Sequence, residues 1–194
     1  MKTSKIRTRD FDIPLTPRLA REAAAWDRRG ARPAAVVVPN EHQESVWDYP
    51  RPPAVQQVLD LVTIDFGGQR IVSSERVLRV CETASPPTYY VPIEEVADYL
   101  RPAQGSSFCE WKGDARYHSI ALGAHVAERS AWSYPSPTSE YEVLRDHVGI
   151  YARPMDRCTV GGHEVTPQPG QFYAGWVTPD LSGPFKGSPG SAGW

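Results

Sequence analysis

Cysteine is scarce. Cys81, Cys109 and Cys158 are the only three in 194 residues, an odd number at wide, unpaired spacings. This excludes a disulfide framework or a zinc site built from two cysteine pairs, and it predicts reduced thiols. Long apolar runs are missing too: no stretch approaches the roughly 20 residues that a membrane-spanning helix needs. The opening MKTSKIRTRDFDIP has charges but no apolar segment behind them. Together these absences predict a cytosolic protein with no membrane partner. Nor is one sign of charge in excess. The formal net charge is −2 with the signs interspersed, so no basic face is available for phosphates and nucleic acid is not an expected partner. His42, His118, His125, His147 and His163 form neither an HExxH nor an HxxxH group, and no metal is expected. His118 adjoins Tyr117, but on a strand the two face opposite ways. The GxxxxGK[ST] and GxGxxG phosphate loops are absent as well, so no cofactor is specified.

Lysine is the scarcest charged residue, four against 17 Arg, and there is a single Asn. Two lysines lie in the first five residues; the other two, Lys112 and Lys186, each precede a glycine, in WKGD and FKGS. In a chain that otherwise writes positive charge as Arg, a retained Lys is either chance or a place that needs a compact, titratable ammonium.

What is present points to one β domain. With 40% apolar residues the chain can fill a single ordinary core. Residues 1–45 differ from the rest and are expected to form an extension with one helix, LAREAAAWDRR, capped by Thr16, with Pro17 at its first position and Gly30 after its end. Residues 46–194 are expected to form the domain proper. There, alternating runs such as VLDLVTIDF, RVLRVCET, ARYHSIAL and HVGIYA read as strands. Helical turns are plausible only at 93–100 and 139–147. TIDFGGQRIVSS and SIALGAHVAERS align without gaps on Gly67 and Gly123 as strand, Gly turn and return strand, and TVGGHEVTP echoes them. The closing GQFYAGWVTPDLSGPFKGSPGSAGW holds Phe172, Tyr173, Trp176, Phe185 and Trp194. Aromatics gain most from burial, so this tail is expected to lie along the domain.

The segment richest in chemistry is FCEWKGDARY, Phe108 to Tyr117, where Cys109, Lys112, Asp114 and Tyr117 crowd together. One reading makes Cys109 a nucleophile with a thiol activated by the nearby ammonium. A second makes Lys112 the working group, as an imine-forming amine or as the contact for an anionic ligand. A third makes Cys109, Trp111 and Tyr117 core residues beside a solvated Lys112 and Asp114 turn. The runs PPTYYVP and AWSYPSP add aromatic pairs. Extended backbone puts Tyr89 and Tyr90 on opposite faces, so one packs while the other is available to a cleft, and Trp132 and Tyr134 are candidate walls for a planar ligand. Lys186, in a Gly-rich turn, is a further candidate anion contact.

PPTYYVP, SFCEWKGDARYHSI, AWSYPSP and QFYAGWVTP with GPFKGSPGSAGW together resemble a bacterial family, domain of unknown function 427, also labelled nucleotidyltransferase-like. The likeness covers roughly residues 44–194. It implies a mainly β, compact antiparallel domain of the β-tent (Mss4-like) kind, a sandwich or half-open barrel. Better-known members of that fold hold zinc between two cysteine pairs, which this chain lacks. The nucleotidyltransferase label implies carboxylates holding magnesium, yet Asp114, Asp146, Asp156 and Asp180 are isolated in sequence.

Three functions follow from these readings. The first is a small-molecule-binding or enzymatic domain centred on Lys112, Cys109 and Tyr117, with Tyr89, Tyr90, Trp111, Asp114, Trp132, Tyr134 and Lys186 as binding residues for an anionic or aromatic ligand. The second is a protein-interaction or structural module without catalysis, for which a homodimer is one form. The third is nucleotidyl transfer.

Overall fold

The computed structural model describes residues 4–26 and 32–191. Gly30 and Trp194 lie outside these residues. Among the described residues sixteen strands follow in chain order: β1 (Thr8–Asp10), β2 (Glu44–Ser45), β3 (Ala54–Val58), β4 (Val62–Phe66), β5 (Gln69–Ser74), β6 (Leu78–Cys81), β7 (Thr88–Pro92) and β8 (Leu100–Cys109). Then come β9 (Gly113–Leu122), β10 (His125–Ser133), β11 (His147–Ile150), β12 (Arg157–Val160), β13 (His163–Glu164), β14 (Thr166–Pro167), β15 (Trp176–Val177) and β16 (Leu181–Ser182). The α-helix α1 spans Pro17–Trp26. Its start is as expected: the Leu19 amide donates to Thr16 Oγ1 at 3.3 Å, the bond an N-cap makes. The expected turns inside the domain are 3₁₀ turns, at Ile93–Glu95, Ala97–Tyr99 and Ser139–Leu144.

The protein is mainly β. Eight strands form one antiparallel sheet in the order β1-β3-β6-β7-β11-β10-β9-β8, and four form a second, β13-β12-β4-β5. The large sheet is not closed into a barrel, and it packs on the small sheet, in keeping with the expected antiparallel β domain. The three Gly turns are hairpins, β4–β5, β9–β10 and β12–β13. The first and third sit in the small sheet and the second in the large one.

One long strand escapes the sequence pattern. β8, LRPAQGSSFC, carries a proline, a glycine and mostly exposed side chains. It is the last strand of the large sheet, and an edge strand tolerates Pro and needs no apolar face.

Alternation gives the large sheet two different faces. One packs on the small sheet through Tyr89, Val91, Ile120, Val148 and Ile150 against Val62, Ile64, Val72 and Val160. The other carries Val55, Leu78, Val80, Tyr90, Trp111, Trp132, Tyr134 and Tyr141, with Leu19 of α1 packed into it. Both ends of the described chain join this body. β1 extends the large sheet beside β3, and the tail's Trp176 is fully buried, its ring stacked on Tyr89 with centroids 4.9 Å apart. Among the described residues no helix is long and apolar enough to cross a membrane.

Candidate functional site

FCEWKGDARY is the tip of the β8–β9 hairpin. Cys109 pairs with Gly113 and Phe108 with Asp114, leaving Glu110, Trp111 and Lys112 as the turn. Gly113 has φ +95°, a conformation open to glycine and strained for other residues. Trp111 points into the aromatic core and is 1% exposed. The tip is fastened from α1: Arg18 donates to the Glu110 carbonyl at 2.7 Å and to the Trp111 carbonyl at 3.1 Å. The Trp26 indole N–H donates to Glu110 Oε1 at 3.1 Å. Arg18 is itself held by Glu140, Nη2 to Oε2 3.1 Å. Burial opposes ionisation of Glu140, but hydrogen bonds from Arg18 and Thr16 overcome it and lower its pKa to about 2.

Beside this tip is a cleft of about 230 Å³. Tyr90, Trp132, Tyr134, Tyr117 and Tyr151 come from the large sheet and the loops at its ends, Lys112 from the hairpin, and Gln168, Phe172, Tyr173 and Lys186 from the tail. The tail is fixed there by Gln168, which is 2% exposed: its amide donates to the Lys186 carbonyl at 2.8 Å and accepts from the Gly175 amide at 2.9 Å. Gly187, after Lys186, has φ +98°, and a Cβ there would collide with the Pro169 carbonyl and crowd Tyr173. The two lysines that stood out in the composition therefore line one cleft, each followed by a glycine with positive φ.

Lys112 is 7% exposed. Its Nζ lies 5.8 Å from the Tyr134 ring centroid, and among the described residues it makes no hydrogen bond or ion pair. Burial by itself pulls the ammonium's pKa down, but Cys109, Tyr134, Tyr90 and Glu82 around it pull it up further, well above the ordinary lysine value. Burial pushes the Tyr90 and Tyr134 phenols up as well, so both stay neutral at pH 7. The permanent negative charge in the lining is thus Glu82, and Arg51 donates to it at 3.3 Å. A lysine in its ammonium form suits contact with an anion, whereas imine formation requires the free amine.

The walls are ordered by contacts among themselves. Trp132 Nε1 donates to Tyr90 Oη at 3.2 Å, and Trp132 meets Tyr151 edge-on, with centroids 5.0 Å apart. Lys186 Nζ lies 5.5 Å from the Trp26 ring and 5.6 Å from that of Tyr173.

The cleft thus gathers Lys112, Lys186, Tyr90, Tyr117, Trp132 and Tyr134 from the sequence candidates. Four others lie elsewhere. Tyr89 is on the opposite face, against Trp176; alternation requires this once Tyr90 faces the cleft. Asp114 is exposed on the hairpin. Cys109 packs half-buried against the aromatic core, and Trp111 is part of that core, its indole N–H buried without an acceptor among the described residues. His118 Nε2 bonds Ser133 Oγ at 2.8 Å, away from the cleft. Sequence reasoning missed Tyr151, Gln168 and Trp26 as neighbours of the site, and Glu82 as its carboxylate. Their signals were weak, since each is an ordinary residue whose partner is distant in the chain.

Fold and site together define a mainly antiparallel β sandwich with a buried ammonium in an aromatic cleft. The chain belongs to the family described as a domain of unknown function, DUF427, whose model matches residues 54–161. No curated protein matches the chain. The matched span contains Tyr90, Lys112, Tyr117, Trp132, Tyr134 and Tyr151, whereas α1 and the tail residues that cover the cleft lie outside it.

Proposed function

We propose that the cleft binds a small molecule carrying an anionic group, with Lys112 as the anion contact and Tyr90, Trp132 and Tyr134 as walls for a planar or apolar body. The observation that carries this reading is the Lys112 ammonium. The residue is 7% exposed and lines a concave site, and its Nζ has no hydrogen bond or ion pair among the described residues. Desolvating a charge costs several kcal/mol unless it is paired, and a ligand anion would supply the missing partner. Convergent polar groups in an aromatic-lined cleft are what small-molecule sites share.

Nucleotidyl transfer draws no support from the donor set: among the described residues no group of three or more His, Cys, Asp or Glu side chains is arranged to hold a metal ion. The test is a thermal-shift screen with aromatic and aliphatic carboxylates and phosphates, run on the wild type, Lys112→Met and Cys109→Ser. A ligand near 100 times its Kd stabilises by about 2.7 kcal/mol. That shift is expected in the wild type and in Cys109→Ser, and is expected to vanish in Lys112→Met. A shift that survives Lys112→Met but is lost in Cys109→Ser would transfer the site to the thiol.

A further inference from the structure

The cleft does not end at the tail. A second chamber, of about 420 Å³, shares Tyr117, Tyr151, Phe172 and Tyr173 with it and is lined further by Glu128, Arg129 and Arg153. Two of these charged groups are already engaged. Arg153 Nη2 donates to the Gln168 carbonyl at 3.2 Å and the Gly170 carbonyl at 3.0 Å. Glu128 Oε2 accepts from the Ser119 hydroxyl at 2.7 Å.

Arg129 is different. Its guanidinium carbon sits 4.4 Å from the Tyr117 ring centroid, and among the described residues its side chain makes no hydrogen bond or ion pair. Its backbone is in the left-handed region, φ +48°, which is uncommon for a residue other than glycine and points to a site when the surroundings enforce it. Here they do. The β9–β10 pairing shifts register between Ala127 and Ala131, and hydroxyls take over the broken ladder: the Arg129 amide donates to Ser119 Oγ at 3.1 Å, the Ile120 amide to Ser130 Oγ at 3.2 Å, and Ser130 Oγ to the Ala127 carbonyl at 2.8 Å. A bulge satisfied in this way re-aims a side chain, and this one carries Arg129 over Tyr117, the wall between the two chambers.

Resting on the anion-contact reading of Lys112, we infer that the ligand is a two-ended acid: a planar body lying along Tyr117 and Tyr151, one anionic group at Lys112 and a second at Arg129. The planar, five-donor guanidinium suits a carboxylate or phosphate end, and the aromatic rings between the two cations suit a flat connecting body.

Calorimetric titration of the full chain with biphenyl monocarboxylate and with its para,para′-dicarboxylate tests this. The wild type is expected to favour the diacid by about fivefold to tenfold, the scale of one exposed charge-assisted contact. Arg129→Gln should abolish that preference, read as the ratio of diacid to monoacid affinity, whereas a merely structural role for Arg129 would weaken both ligands alike and leave the ratio intact. Lys112→Met should weaken both ligands. Equal affinity for the two acids in the wild type, or a preference that survives Arg129→Gln, overturns the second subsite, while Lys112-dependent monoacid binding would leave the first standing. If neither acid binds, or both bind Lys112→Met as tightly as the wild type, the anion-contact reading fails and the subsite with it.

Discussion

Two buried cations on opposite faces of the same sheet are treated very differently. Arg79, on the face of Tyr89, is 2% exposed and saturated: it donates to Glu44 at 2.6 and 3.2 Å and to Gln56 at 2.7 Å. Lys112, on the face of Tyr90, is nearly as buried and has no such partner among the described residues. The Arg79 cluster ties β6 to β2 and β3, and its charge is cancelled where it stands. Lys112 sits where the sheet is covered by a helix and a tail instead of a second sheet, which leaves room for something else to cancel it. A paired buried cation belongs to the architecture; an unpaired one in a cleft points to a ligand.

The largest effect that would sharpen this contrast is expected at Glu44. Glu44→Ala leaves Arg79 without its carboxylate, and urea denaturation should show a loss of about 3 kcal/mol. A change below about 1 kcal/mol would break the claim that the pair is structural. The next concerns Arg18, the cation that fastens the hairpin bearing Lys112. Because the Glu140 pKa is lowered to about 2 from 4.5, its contribution is fully present above about pH 4.5 and is lost as pH falls through 2. Stability measured across that window should drop by about 2 kcal/mol more in the wild type than in Glu140→Gln.

Gly149→Ala probes the cleft wall. A Cβ at that position would overlap the Trp132 ring, so a cost of about 1 to 2 kcal/mol is expected, together with weaker ligand binding at unchanged Lys112 chemistry. Native affinity in this variant would show that Trp132 is packing and not wall. Lys112→Met is expected not to destabilise the ligand-free protein and to raise its stability by about 1 kcal/mol or more, because it removes a desolvated charge that has no protein partner. A large loss there would place Lys112 with Arg79 as a structural cation.

Much of the strand pattern was legible because alternation and glycine turns are local: β4, β5, β9, β10 and β12 lie where the runs and the Gly67, Gly123 and Gly161 turns put them. β8 was not legible, since an edge strand obeys no apolar alternation. The site was legible in part. Scarcity singled out Lys112 and Lys186, and the aromatic runs supplied Tyr90, Trp132 and Tyr134. Nothing in FCEWKGDARY distinguished Lys112 from Cys109 or Asp114, because whether a turn residue faces a cleft, the core or water depends on what is laid over the turn.

The sequence by itself therefore determined the class of fold, the two faces of the strands that alternate and a short set of unusual residues, all of which follow from periodicity of two and from composition. Tertiary structure alone decided which cation is paired. Glu44 reaches Arg79 through the parallel contact of β2 with β16 and the packing beside β6, while the tail brings Lys186 and Gln168 over Lys112. Pairing a buried charge depends on contacts between segments far apart in the chain, and local pattern carries no record of them.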